Sequence, residues 1–221
     1  MKNDLASIPL FSNLTPEQLE LLAAKIRNLT YPKASIIISE GEISESLFIL
    51  RKGKIRIYIS DNDGREMLLN ELGPGDYFGD LSIIDREPHS ASAVTLCNCE
   101  VSVISSADFL QLLQDSSSFA INILKETTKR LRKSTVSQRQ LALLGVYGRL
   151  REKILSLCKE VNGVVLLDPK PTQQEFANMI GASRETVSRI LKDLVGGGYI
   201  EKRKKSLLIN KALPLEWKRS S

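Results

Sequence analysis

The sequence holds one histidine, His89, and three cysteines, Cys97, Cys99 and Cys158, among 221 residues. Imidazoles and thiols are therefore too scarce for a His/Cys/Asp/Glu set at metal-ligand spacing. No nucleophile, base and orienting group can be assembled either, so neither a catalytic site nor a metal site is expected. An odd cysteine count without framework spacing fits a reducing compartment and excludes a disulfide-stapled secreted fold. Apolar runs such as Ile36–Ile38 are far too short to span a bilayer. The opening MKNDLASIPLF carries an early Asp4 and lacks the apolar stretch of roughly 7–15 residues that marks a signal peptide. A cytoplasmic location with no membrane partner is the expectation.

What is present is asymmetric charge. The net +5 divides into 10 Lys+Arg against 17 Asp+Glu over Met1–Ser116, and 21 against 9 over Ser117–Ser221. A half at −7 joined to a half at +12 implies a polyanionic partner for the second half only, although a solvated basic surface would also account for it.

Periodicity places the elements. Thr15 caps an amphipathic helix with Pro16 at its first position and Leu19, Leu22, Ala23 and Ile26 as its stripe. From Ser35 to Ser105 short β-rich runs take over: Ser46–Leu50, Lys54–Ser60, Glu66–Leu72, Val94–Leu96 and Val101–Ile104, separated by Gly- and Asp-rich turns. Ile55, Ile57 and Ile59 alternate with polar neighbours, so one face is buried. This spacing predicts a small antiparallel barrel or jelly roll. Ala107–Gln114 is a short helix. Phe119 to about Leu144 reads as one long helix without proline or glycine, with Ile121, Leu124, Thr128, Leu131, Thr135 and Gln138 at near-heptad spacing. A partner helix from a second copy would cover that stripe, making a homodimer; packing within one chain is the alternative. Gly145 and Gly148 mark a hinge. Tyr147–Lys159 is a further amphipathic helix, followed by Val164–Leu167.

The second half contains a helix-turn-helix pattern. Thr172-Gln173-Gln174-Glu175 is a capping box, and Phe176, Met179 and Ile180 form an inner face. Gly181 suits a tight turn, and Ser183 caps a second helix whose buried side is Val187, Ile190, Leu191 and Leu194. Its other side presents Arg184, Glu185, Ser188, Arg189 and Lys192. A guanidinium can bond guanine O6 and N7 together, and a carboxylate can accept from cytosine N4, so this face is suited to reading double-stranded DNA. A hairpin of Tyr199–Glu201 and Ser206–Ile209 around Lys202-Arg203-Lys204-Lys205 is a basic wing suited to phosphate contact. A charged helical hairpin with no DNA role is the alternative.

In the first half, Phe78-Gly79-Asp80-Leu81 and Pro88-His89-Ser90-Ala91 flank Ser82–Ile84. Gly79 permits close backbone approach, and the amides of Leu81, Ser90 and Ala91 suit an anion nest. Cys97 and Cys99, two apart in a predicted strand, share a face and read as small buried residues, with a metal or oxidant role as the alternative.

SRETVSRILKDL closely resembles the recognition helix of the CRP/FNR family, and GEISESLFILRKGKIRIYISDNDGREMLLNELGPGDYFGDLSIID resembles that family's effector domain. The similarity is collinear from about Ile8 to Asn210. It implies an α+β architecture: an N-terminal β-roll of the cyclic-nucleotide-binding jelly-roll type over 1–116, a long dimerisation helix and hinge over 117–145, and a C-terminal winged helix-turn-helix over 146–221. It implies that Arg184, Glu185 and Arg189 read a TGTGA-like half-site, while Thr172, Gln173, Ser183 and Lys192 lie near the phosphates. Gln173 stands where the family commonly has arginine, which should cost a phosphate contact but not base reading.

The same resemblance makes Gly79, Asp80, Leu81, His89, Ser90 and Ala91 a phosphate-binding cassette. Asp80 would take the ribose hydroxyl, and Ser134 and Thr135 of the long helix would contact the nucleobase across the dimer. Ile57, Leu69 and Leu72 would form an apolar wall. Family cassettes carry glutamate and arginine where this chain has Asp80 and His89, and histidine offers no planar, permanently charged fork. No cofactor is required. Cyclic AMP is the implied effector, with a cyclic dinucleotide, or no effector at all, as alternatives. Contact with RNA polymerase is left open, and an interaction adaptor is the alternative of another class.

Overall fold

The computed structural model describes residues 5–6, 8–161 and 163–216. A 3-10 turn at Pro9–Phe11 leads to helix α1 (Pro16–Lys25). The Thr15 hydroxyl accepts from the Gln18 amide at 3.3 Å, and the Gln18 side chain accepts from the Thr15 amide at 3.0 Å. Two otherwise orphaned N–H groups are thereby satisfied reciprocally.

Eight strands follow: β1 (Arg27–Tyr31), β2 (Ile36–Ile38), β3 (Ser46–Lys52), β4 (Ile55–Ser60), β5 (Glu66–Leu72), β6 (Tyr77–Phe78), β7 (Ser92–Thr95) and β8 (Cys99–Ser105). They form two four-stranded sheets, ordered β1-β8-β3-β6 and β2-β7-β4-β5. Ile38, Phe48, Leu50, Ile55, Phe78, Ala93, Val101 and Val103 fill the space between the sheets, with Phe48 and Phe78 stacked at 5.2 Å between ring centroids. On the other side of β3 and β8, Leu47, Ile49 and Ile104 belong to a second core with Phe11, Leu22, Phe109 and Phe119. Each such aliphatic or aromatic side chain contributes about 1.5–3 kcal/mol on burial.

The short apolar segment expected between the cassette halves is helix α2 (Asp80–Asp85). Strand β1 is absent from the sequence expectation because its residues show no alternation; Leu29 is exposed, and backbone pairing to β8 holds it at the sheet edge. In β4 the expected alternation is blurred: only Ile55 is fully buried, and the Arg56 guanidinium lies 4.7 Å over the Tyr58 ring, covering the outer side. Cys97 and Cys99 do not share a strand. Cys97 sits in the bend between β7 and β8, and Cys99 opens β8.

Helix α3 (Ser106–Asp115) precedes the long α4 (Ser117–Leu143). Phe119 and Ile123 anchor the start of α4, whereas Ile121, Leu124, Leu131, Val136, Leu141 and Leu143 are exposed. Ile121, Leu124 and Leu131 share one side of the helix and stand open to solvent.

Helix α5 (Val146–Leu157) ends two residues before the expected Lys159, which instead begins strand β9 (Lys159–Val161). Strand β10 (Val164–Leu167), helices α6 (Gln173–Ile180) and α7 (Arg184–Gly196), and strands β11 (Ile200–Lys202) and β12 (Leu207–Ile209) complete the order. A β11-β12-β10-β9 sheet and the three helices enclose Leu150, Ile154, Phe176, Ile180, Val187, Ile190, Leu194 and Leu207. The chain forms two compact units: one combines the chain up to Ile59 with Leu68–Arg132, the other Ser60–Met67 with the chain from Lys133 onward. Among the described residues no helix is long and apolar enough to cross a membrane.

Candidate nucleic-acid interface and effector cassette

The paired helices of the second unit are set by local chemistry. The Thr172 hydroxyl accepts from the Glu175 amide at 3.1 Å, and the Glu175 carboxylate accepts from the Thr172 amide at 2.6 Å. Gly181 ends α6 at φ +61, the left-handed region, and frees the chain to turn. The Ser183 hydroxyl then accepts from the Thr186 amide at 3.2 Å and starts α7. Arg149 of α5 binds this turn from behind: its Nε donates to the Ile180 carbonyl at 2.8 Å and its Nη1 to the Leu144 carbonyl at 2.8 Å.

Along α7, Val187, Ile190, Leu191 and Leu194 are buried, so Arg184, Glu185, Arg189 and Lys192 are turned outward and exposed, with Ser188 half-buried beside them. Thr172 and Ser183, expected near phosphates, are exposed, but both hydroxyls already accept the capping bonds, and that of Ser183 also lies 2.9 Å from the Thr186 hydroxyl. Gln173 is half-buried. The wing turn Lys202–Lys205 is exposed, its Arg203 is paired with Glu201 at 2.9 Å, and Lys170 reaches the Arg203 carbonyl.

In the first unit Gly79 takes φ +86, and a Cβ there would lie 2.8 Å from the Ser46 carbonyl oxygen. Glycine is thus required on two grounds, and the close approach is that of strand β3. Asp80 follows, 2% exposed. Its partner is Arg130 of α4, whose Nη1 lies 3.1 and 3.0 Å from the two carboxylate oxygens. Nη2 donates to the Tyr77 carbonyl at 3.0 Å, and the guanidinium carbon is 4.4 Å over the Tyr77 ring. Arg130 is not among the residues singled out from the sequence; once Asp80 is seen to be buried, a cation beside it is required. The Tyr77 and Ser82 hydroxyls are buried without a hydrogen-bond partner.

His89 is buried, 7% exposed. Its Nε2 lies 2.8 Å from the Ser44 hydroxyl, its amide donates to Glu42, and its carbonyl accepts from Gly41. Burial pushes the imidazole below its ordinary value, opposed by the Glu42 charge. The ring is thus fastened to the loop before β3. Ser90 and Leu81 are exposed, Ala91 and Ile57 half-buried, Leu72 buried, Leu69 exposed, and Ser134 and Thr135 exposed on α4.

A nucleotide-domain-type β-roll followed by a winged helix-turn-helix defines a DNA-binding transcription regulator, not an enzyme. Residues 28–116 match the cyclic nucleotide-binding domain, and residues 148–215 match the Crp-like helix-turn-helix domain. The chain belongs to the CRP/FNR family. It is 35% identical over 200 residues to the cAMP-activated global transcriptional regulator Vfr of Pseudomonas aeruginosa, covering 87% of this chain and 94% of that protein. It is 30% identical over 214 residues to the CRP-like cAMP-activated global transcriptional regulator of Mycobacterium tuberculosis, covering 95% and 96%. The solved structure of CLP, described as the c-di-GMP responsive global regulator of Xanthomonas campestris, aligns with a TM-score of 0.77 at 25% identity, covering 88% of this chain and 99% of that one.

Proposed function

We propose that the chain works as a homodimer that reads a TGTGA-like palindrome and is switched by a small anionic effector in the β-roll. The observation that carries the reading is the α7 face, where Arg184, Glu185 and Arg189 stand exposed over a fully buried Val/Ile/Leu side. In a two-fold dimer the two α7 helices would enter successive major grooves about 34–36 Å apart. The wing and the first turn of α6 would hold phosphates, contributing affinity that falls with salt. Residues 1–116 then form the effector domain, 117–145 the dimer helix and hinge, and 146–221 the DNA-binding domain. Such a role places the protein in the cytoplasm.

The cassette fits an effector in part. The Asp80–Arg130 pair and the partnerless Ser82 hydroxyl are consistent with a polar ligand site. Each Asp80 oxygen keeps a lone pair for a ribose hydroxyl. With His89 fastened to Ser44 and its charge disfavoured, phosphate recognition would rest on amides of the cassette, and cyclic AMP should bind about ten- to a hundred-fold more weakly than at an arginine-bearing site. The CLP likeness makes a cyclic dinucleotide the second reading.

Two measurements test this. Arg184→Ala should reduce the preference for a TGTGA-like duplex over scrambled DNA by about ten- to a hundred-fold in a fluorescence anisotropy competition; undiminished preference assigns base reading to another surface. Calorimetric titration with cyclic AMP, cyclic GMP and cyclic di-GMP should give saturable heat for one of them, and no heat up to millimolar ligand overturns nucleotide control.

A further inference from the structure

The bend between β7 and β8 carries two thiols that the regulator reading leaves unused. Cys97 is exposed there, whereas Cys99 is 1% exposed and its sulfur faces back toward the bend. The Cys99 Sγ lies 3.3 Å from the Cys97 carbonyl oxygen and 3.3 Å from the Lys54 carbonyl oxygen. Gly53 makes room for this arrangement: a Cβ at that position would sit 2.5 Å from the Cys99 Sγ and 2.8 Å from the Asn98 carbonyl oxygen. An accessible sulfur and a shielded one therefore share a single tight turn, clasped by the neighbouring β3–β4 turn. Burial first, and then the adjacent Cys97 sulfur, push the Cys99 thiol above its ordinary value, so it stays protonated.

We propose that Cys97 and Cys99 form a reversible disulfide within this turn when the protein meets a hydroperoxide. Cys97, the sulfur open to solvent, attacks as thiolate; the peroxide O–O bond breaks, leaving a sulfenic acid on Cys97 and releasing hydroxide. The Cys99 sulfur then attacks the Cys97 sulfur, the S–O bond breaks, and the departing hydroxide takes the Cys99 proton as water. In total two thiols and one hydrogen peroxide become one disulfide and two waters, with sulfur oxidised and peroxide reduced. Closing the bond takes the Cys99 sulfur from its hydrogen bond to Lys54, at the entrance to β4. A ring spanning only three residues is strained, so a small thiol should reopen it.

The full-length reduced protein treated with a few equivalents of hydrogen peroxide tests this by intact mass, peptide mapping and thiol titration under denaturing conditions. The expected product has lost two hydrogens, retains one of its three thiols, maps the bond to Cys97–Cys99, runs as a single chain on a non-reducing gel, and returns to three thiols with dithiothreitol. Cys158→Ser should react like the parent. Cys99→Ser should instead hold a Cys97 sulfenic acid that dimedone traps. Three unreacted thiols, a bond that uses Cys158, or a covalent dimer would each overturn the proposal.

Discussion

A carboxylate as shielded as Asp80 is stable only beside a cation, and Arg130 supplies it from 50 positions further along the chain. The two partners are unequal, because the Asp80 side chain is 3% exposed and that of Arg130 is 41% exposed. Arg130→Ala strands a charge in the interior, whereas Asp80→Ala leaves a guanidinium that reaches water. We expect losses of about 2–3 kcal/mol for the first and about 1 kcal/mol for the second in urea denaturation, discounted for the exposed partner. The reverse order would show that the pair does not hold this corner of the roll. His89 makes a different demand. Its folded-state value is depressed by burial, so below about pH 6.5 the unfolded chain binds a proton that the folded chain resists. Stability is therefore full above that pH and falls as the pH drops through the lower folded value, by at most about 1.4 kcal/mol per pH unit. The urea midpoint should drop less between pH 7.5 and pH 5.5 in His89→Gln than in the parent; equal drops would assign the acid sensitivity to carboxylates instead.

Elements differ in how far their causes lie from them. The caps at Thr15, Thr172 and Ser183 are written within four residues of the helices they start, and the Val/Ile/Leu stripe of α7 repeats at helical spacing, so these were legible in the sequence. Thr172→Ala should remove one of the two reciprocal bonds and cost about 1 kcal/mol, lowering the thermal midpoint of the second unit while α7 keeps its own cap. An unchanged midpoint would mean that packing of Phe176 and Ile180 alone sets α6. By contrast, β1 has an edge-strand composition with no alternating face, and only the distant β8 makes it a strand. The cassette was legible as a motif, but neither the Asp80–Arg130 pair nor the His89–Ser44 contact was, because each joins segments at least 45 positions apart. For the same reason the proposed ligand face of His89 could not be told from a structural one by residue type.

At the scale of the whole molecule, α4 carries exposed apolar side chains that invite a partner. Leu124 is 65% exposed and Leu131 66% exposed, seven positions apart on a helix of 27 residues. A second copy of the same helix would cover them by knob-and-hole packing, removing several square nanometres of apolar area from water. Leu124→Glu with Leu131→Glu should convert a sedimenting dimer to a monomer at micromolar concentration and abolish binding to the palindrome while leaving the far-ultraviolet circular dichroism intact. A persistent dimer would place the seam elsewhere.

Arg149 ties the end of the long helix to the helix-turn-helix within one chain. One guanidinium grips both the carbonyl that closes the long helix and the carbonyl that precedes the Gly181 turn. Gly145, the N-cap of α5, would otherwise offer slack between the long helix and α5, whereas Gly148, expected to share in a hinge, lies inside α5. Gripped in this way, the end of the long helix and the helix-turn-helix are held to one another by side-chain hydrogen bonds as well as by the chain between them.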